Sequence, residues 1–103
     1  MTSDAILDAL ADRTRRRVFE SLRSRPLTVR ELAELQPVSR PAVSQHLKVL
    51  EAAGLVSVVP QGKRRIYSVR PEGLEDLRTY LDGFWSDVLG SFAAEIELRK
   101  SRN

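Results

Sequence analysis

The sequence contains no cysteine and one histidine, His46. Without cysteine the chain forms no disulfide, no thiolate metal site and no thiol redox switch. A single histidine with no partner ligand does not make a transition-metal site, and no nucleophile stands near it to serve in catalysis. We therefore expect no metal, no cofactor and no enzymatic activity, with His46 as a partly buried packing residue.

Long apolar runs are missing too, so no segment is suited to cross a membrane. The first four residues, Met-Thr-Ser-Asp, lack the basic and apolar character of a signal peptide, which predicts a cytoplasmic protein. The length of 103 residues, with 42% apolar and 30% charged residues, suits one globular domain over residues 1–103. A domain this small is marginally stable alone, so a subunit interface would help.

Charge is unevenly distributed around a net value of +3. Residues 1–70 hold 13 Lys and Arg against 7 Asp and Glu, whereas residues 71–103 hold 4 against 7. A basic N-terminal section followed by an acidic C-terminal section is typical of a protein whose first part binds a polyanion and whose second part does not. An ordinary solvated surface could give the same counts, so charge alone does not distinguish it from a polyanion-binding surface.

Apolar periodicity predicts a mainly α fold with one small β-hairpin, in the order α-α-α-α-β-β-α. Asp12 and Ser39 are expected helix caps, and Thr28 to Glu31 is a capping-box pattern. The expected helices cover about residues 4–11, 13–24, 29–35, 40–53 and 74–98, and the expected strands 55–59 and 65–69.

Residues 27–56 form a short helix, a sharp turn and a second helix, which is a helix-turn-helix pattern. Val43, Leu47 and Leu50 cluster on one side of the second helix, within about 60° at 100° per residue. The other side is polar and cationic, as base-edge reading in the DNA major groove requires. The predicted DNA-contacting residues there are Ser39, Arg40, Pro41, Ser44, Gln45 and Lys48. An ordinary amphipathic surface helix also has a polar outer side, so this pattern alone leaves that alternative open.

The hairpin favours the DNA-binding interpretation, because its tip carries Lys63, Arg64 and Arg65 directly after the helix-turn-helix. Such a wing can reach flanking phosphates or a narrow minor groove. Arg15, Arg16 and Arg17 are ambiguous: we expect Arg16 to contact phosphate, but these side chains can also pair with Glu20 or with acids of the last helix. The predicted partner is double-stranded DNA.

The last helix has a heptad-like apolar seam, which is typical of a helix that pairs with another helix. Its members are Leu74, Leu77, Leu81, Phe84 and Val88, widened by Trp85 and continued by Phe92. This predicts a homodimer in which residues 72–98 are the dimerisation helix.

Residues 7–81 resemble the ArsR family of winged-helix regulators. LDALADRTRRRVFESL is similar to the opening helices of the family, SRPAVSQHLKVLEAAGLV to its recognition helix, and GKRRIYSVRPEGLEDL to its wing and last helix. The resemblance implies a winged helix-turn-helix homodimer built through the first and last helices. Its interface would include Ile6, Leu10, Leu77, Leu81, Phe84, Trp85, Val88 and Phe92. It also implies repression at an inverted-repeat (palindromic) operator, usually near the protein's own promoter.

Thr28, Arg30 and Ala33 stand where metal-sensing members carry cysteine, and the last helix has no histidine, so inducing metal chemistry is not carried over. The Phe84-Trp85 pair resembles the sequence at this position in a metal-independent branch of the family. Two alternatives stay open: a repressor released by an unknown small-molecule effector bound near Phe84, Trp85 and Phe92, and a winged-helix module that docks a protein.

Overall fold

The computed structural model describes residues 3–102; Met1, Thr2 and Asn103, which the predicted domain includes, lie outside the described residues. Within this range, five helices and three strands follow one another. In order they are α1 (Ser3–Ala11), α2 (Arg13–Ser21), β1 (Leu27–Thr28), α3 (Val29–Leu35), α4 (Arg40–Ala52), β2 (Val56–Gln61), β3 (Arg64–Val69) and α5 (Pro71–Ser101). The predicted helix order is confirmed, with one additional short strand before α3.

Helix α3 begins at the predicted capping box. The Thr28 hydroxyl accepts a hydrogen bond from Glu31 N (3.2 Å), and the Glu31 carboxylate accepts one from Thr28 N (3.0 Å). The hydrogen bond from Thr28 N favours the charged form of the Glu31 carboxylate, so the pKa of Glu31 is lowered, first by the backbone of Thr28 and then by the Thr28 hydroxyl and by Arg25. This short helix is therefore fixed at its first turn.

Helix α4 is bounded by a cap at each end. Ser39 Oγ accepts from Ala42 N at 3.3 Å, and Pro41 occupies the first turn, where no backbone donor is needed. At the other end Gly54 has φ of 77°, and Leu55 N donates to Leu50 O at 3.0 Å. This is the Schellman arrangement, which only glycine adopts at no steric cost. The helix ends at Ala52, one residue before the predicted end.

The hydrophobic core lies between α1, α2, α3, α4 and the sheet. Helix α4 packs on α2 and α3 through a fully buried stripe, which is the predicted Val43, Leu47 and Leu50. The other buried apolar side chains are Ile6, Ala9, Val18, Leu22, Leu27, Leu32, Ala53, Leu55, Val56 and Tyr67. His46 is half-buried, as predicted.

The three strands form an antiparallel sheet in the order β1-β3-β2. Strand β3 is central: at its base Tyr67 pairs with Leu27 of β1 and with Val58 of β2. Pro60 and Gln61, which lie between the two predicted strands, belong to β2. This is an edge strand, as expected for Pro60, because proline has no N–H to donate and an edge strand tolerates that loss. The turn is reduced to Gly62 and Lys63.

Helix α5 starts on the core and then leaves it. Its 31 residues extend about 46 Å at 1.5 Å per residue. From Arg78 onward its side chains are exposed, and the molecule measures 70 × 25 × 22 Å. The radius of gyration is 19.0 Å, whereas a compact domain of this length has about 13 Å. Most of α5 is therefore uncovered in a single chain.

Candidate nucleic-acid interface

Helix α4 has one side buried in the core and the other side open to solvent. Arg40, Gln45 and Lys48 are exposed and Ser44 is half-buried, whereas the neighbouring Val43 and Leu47 are fully buried. The core therefore fixes which way the helix faces, and the predicted base-reading side is the accessible one. Ser39 and Pro41 are exposed at the leading end, where the Ser39 hydroxyl also caps the helix.

Gln36 fixes the turn between α3 and α4. Its Nε2 donates to Ser21 Oγ at 2.8 Å, which links the end of α3 to α2. The sequence shows only that Gln36 falls in the turn between the two predicted helices. A glutamine three residues before an N-cap gives no local signal of a partner 15 residues earlier in the chain.

The wing consists of β2, β3 and a two-residue turn. Gly62 has φ of +63°, and among the described residues no non-glycine has a positive φ, so Lys63 has a negative one. A positive φ at the first turn position alone is the pattern of a type II′ hairpin turn. Lys63, Arg64 and Arg65 are all exposed at the tip, so the three predicted wing cations project into solvent.

A concave surface, here called the wing cleft, lies between the wing, the start of α3 and the start of α4. It is lined by Thr28, Val29, Arg30, Glu31, Arg40, Lys63, Arg64 and Arg65. The structure thus brings the wing cations and Arg40 to one surface. It also adds Arg30, which sequence reasoning did not place at the interface, because the contact depends on how the wing folds back towards α3.

Arg15 and Arg16 bind the carboxyl end of α1. Arg16 Nη1 donates to Leu10 O at 2.9 Å, and Arg15 donates to Ala9 O and to Asp8 O (3.2 Å for the latter). The last carbonyls of a helix have no partner within the helix, and these guanidinium groups supply one. Contact of Arg16 with DNA stays a prediction, and the structure adds a capping role that sequence reasoning missed.

The residues expected at a dimer interface fall into three groups. Ile6 is fully buried in the chain's own core, so its side chain has no surface left for a second copy, which corrects the expectation for this residue. Leu10 and Leu77 are half-buried against that core. Leu81, Phe84, Trp85, Val88 and Phe92 are exposed, as an uncovered seam requires, and Leu7 is exposed on α1.

Two features are absent from residues 3–102. No three His, Cys, Asp or Glu side chains in this range lie close enough together to hold a metal ion. No helix there is both long and apolar enough to span a bilayer.

Known proteins are similar to this chain in both sequence and fold. The family model for "Bacterial regulatory protein, arsR family" matches residues 12–58. The chain is 54% identical to the HTH-type transcriptional regulator Rv2034 of Mycobacterium tuberculosis, over 91% of this chain and 88% of that protein. It is 29% identical to the transcriptional repressor SdpR of Bacillus subtilis, over 77% of this chain and 88% of that one.

Solved structures agree with these matches. A possible transcriptional regulator for arsenical resistance superposes with a TM-score of 0.71 at 45% identity, covering 86% of this chain and 93% of its own. An ArsR-like regulator from Rhodococcus sp. RHA1 gives 0.83 at 28% identity, covering 93% and 91%. The winged helix-turn-helix fold expected from the sequence is confirmed, and the relatives are regulators and not enzymes. The chain belongs to the arsR family of bacterial regulatory proteins, and it is a DNA-binding transcriptional regulator.

Proposed function

We propose that this chain is a transcriptional repressor that binds an inverted-repeat operator as a homodimer, and that one such operator lies near its own promoter, so that the protein regulates its own expression.

 The observation that carries the proposal is the arrangement of α4, whose apolar stripe is fully buried while Arg40, Gln45 and Lys48 are exposed, with Arg40 beside the wing cations. A helix held in this way presents hydrogen-bonding groups of little bulk to the major groove.

The predicted DNA-contacting residues are proposed to have different roles. Gln45 suits a bidentate pair with adenine, and Arg40 suits guanine. Ser44 and Lys48 reach bases or phosphates, and Ser39 and Pro41 line the approach of the helix to the groove. Lys63, Arg64 and Arg65 of the wing would contact the flanking backbone, with Arg16 as a further phosphate contact that positions the protein without reading sequence.

The homodimer is proposed from the uncovered face of α5. Ten large apolar side chains of this helix are exposed: Leu74, Tyr80, Leu81, Phe84, Trp85, Val88, Leu89, Phe92, Ile96 and Leu98. A contiguous apolar surface of this kind on a small protein marks an interaction site. A second copy is the natural occupant, because two-fold dimers match the same surface to itself.

Charge favours antiparallel packing of the two α5 helices. Glu72, Glu75 and Asp76 lie at the start of α5, and Arg99, Lys100 and Arg102 lie at its end. An antiparallel pair sets each acidic start beside a basic end, whereas a parallel pair sets like charges together. The helix dipoles favour the same orientation.

Repression would follow from occupancy, since a dimer that covers promoter DNA excludes polymerase. The name of the Bacillus subtilis relative, transcriptional repressor, supports repression over activation. Bacterial DNA lies in the cytoplasm, so the proposed action is cytoplasmic.

The test is a footprint of the purified protein on the DNA upstream of its own gene, with sedimentation velocity on the same sample. We expect a dimer that protects two half-sites about one helical turn apart. A monomer, or a protein with equal affinity for every duplex, would overturn the proposal.

A further inference from the structure

Cations from three separate elements meet at the wing cleft. Arg30 comes from α3, Arg40 from α4, and Lys63, Arg64 and Arg65 from the wing. Base reading explains Arg40 and backbone contact explains the wing, but neither accounts for Arg30. Its place in the cleft raises the question of what a guanidinium group on α3 would bind there.

Arg30 has a weakly held partner in the free protein. Its Nε lies 3.6 Å from Glu34 Oε1, one helical turn along α3, and the two side chains are 72% and 67% exposed. Exposed pairs at this spacing stabilise a helix by only about 0.3–0.5 kcal/mol. A phosphate group, which accepts two parallel hydrogen bonds from a guanidinium group, competes well against such a partner.

Among the residues that the structure describes, one carboxylate lines the wing cleft, and it is already engaged. Glu31 accepts hydrogen bonds from Thr28 N at 3.0 Å and from Arg25 Nη1 at 3.3 Å. Its charge is therefore directed to the helix start and to Arg25. Five cations against one such carboxylate leave the cleft strongly positive, which suits a polyanion.

We infer that Arg30 is a DNA-backbone contact, and that Glu34 competes with the phosphate for its guanidinium group. This inference rests on the proposed function. It extends the contact surface of each subunit from α4 and the wing to α3. It also makes Glu34 a residue that lowers DNA affinity, because the Arg30–Glu34 ion pair must break when the phosphate binds.

The experiment compares Arg30→Gln, Glu34→Gln and the double variant in DNA titrations at several salt concentrations. We expect Arg30→Gln to weaken binding to operator and to random duplex alike. The factor by which Arg30→Gln lowers DNA affinity should decrease about threefold between about 50 and about 200 mM salt, as removal of one phosphate contact predicts. Glu34→Gln should strengthen binding, and this gain should disappear in the double variant.

Arg78→Gln is the matched control, since Arg78 and Asp82 of α5 form an exposed pair of the same spacing and the same 3.6 Å separation. We expect it to leave affinity per dimer unchanged, with assembly checked by sedimentation. Unchanged binding by Arg30→Gln, or a gain from Glu34→Gln that persists without Arg30, overturns the inference while the wild-type protein still binds its operator. Absence of any duplex binding by the wild type would instead overturn the proposed function.

Discussion

Gly73, in the first turn of α5, lies directly against the carbonyl group of Gly54, the glycine of the C-terminal cap of α4. A Cβ built on Gly73 would fall 2.3 Å from Gly54 O and 3.3 Å from Leu55 Cα. The neighbouring backbone is fixed as well, because Arg70 N donates to Leu55 O at 2.8 Å. The end of the recognition helix and the start of the long helix are thus in backbone contact, with no room for a side chain.

Gly73→Ala is expected to destabilise the protein by about 1–3 kcal/mol, because backbone must move to admit the methyl group. Urea unfolding at a fixed protein concentration measures the change. Gly83→Ala is the control: a Cβ there meets nothing within 4 Å, so the helix should gain about 0.5–1 kcal/mol. Equal effects of the two substitutions would contradict the tight contact.

Gln45→Ala is expected to weaken operator binding by about 1–3 kcal/mol while changing binding to random duplex much less, because a lost base contact removes specificity. Titrations on both DNAs at one salt concentration measure the difference. Equal losses on the two DNAs would reject base reading by Gln45.

Lys63→Ala serves as the contrast within the same assay. Lys63 is at the wing tip, where phosphate contact is expected, so both DNAs should be bound more weakly and the salt dependence should flatten by about one phosphate contact. A loss confined to the operator would instead assign base reading to Lys63.

Phe84→Glu is expected to raise the dissociation constant of the dimer by about 100-fold or more, which corresponds to about 2.8 kcal/mol. The reason is that a charge would be buried in the proposed seam, where Phe84 is 62% exposed in a single chain. Sedimentation over a range of concentrations measures the constant. Ser86→Glu, on the opposite side of α5, should leave it unchanged, and an unchanged constant for Phe84→Glu would remove that side chain from the interface.

The capping box predicts a pH dependence for α3. Because the pKa of Glu31 is lowered in the folded chain, the stabilisation it provides is complete above the ordinary glutamate range and is lost as the pH falls through the lowered value. An NMR titration of the Glu31 carboxyl carbon should show a lower midpoint in the folded chain than in urea. Identical midpoints would show that the cap does not hold the charge.

The parts of the fold that depend on local patterns were predictable. The capping box at Thr28, the buried stripe through Val43 and the long last helix all follow from spacing along the chain. Strand β1 was missed, because two residues have no periodicity and pair only once β3 is in place. Helix α2 ends at Ser21, three residues before the predicted end, and α5 extends beyond its predicted range at both ends.

The parts of the site that depend on distant contacts were not predictable. Arg15 and Arg16 read as surface cations, and only the approach of α2 to the end of α1 gives them carbonyl partners. Ile6 fits the apolar face of α1 in sequence, but the core takes its whole side chain. Arg30 joins the interface through the fold of the wing.

Strand β3, which is central in the sheet, pairs with a strand on each side at Ile66 and Tyr67 but with β2 alone at Arg64 and Arg65. The base is therefore anchored in the core, while the outer rungs form a simple two-stranded ribbon. Insertion of matched residue pairs at Gly62 and Lys63 would lengthen this ribbon by about 3.4 Å per pair and leave the anchored base untouched. A relative with a longer or shorter hairpin would therefore contact a longer or shorter stretch of the duplex, while the rest of its domain stayed the same.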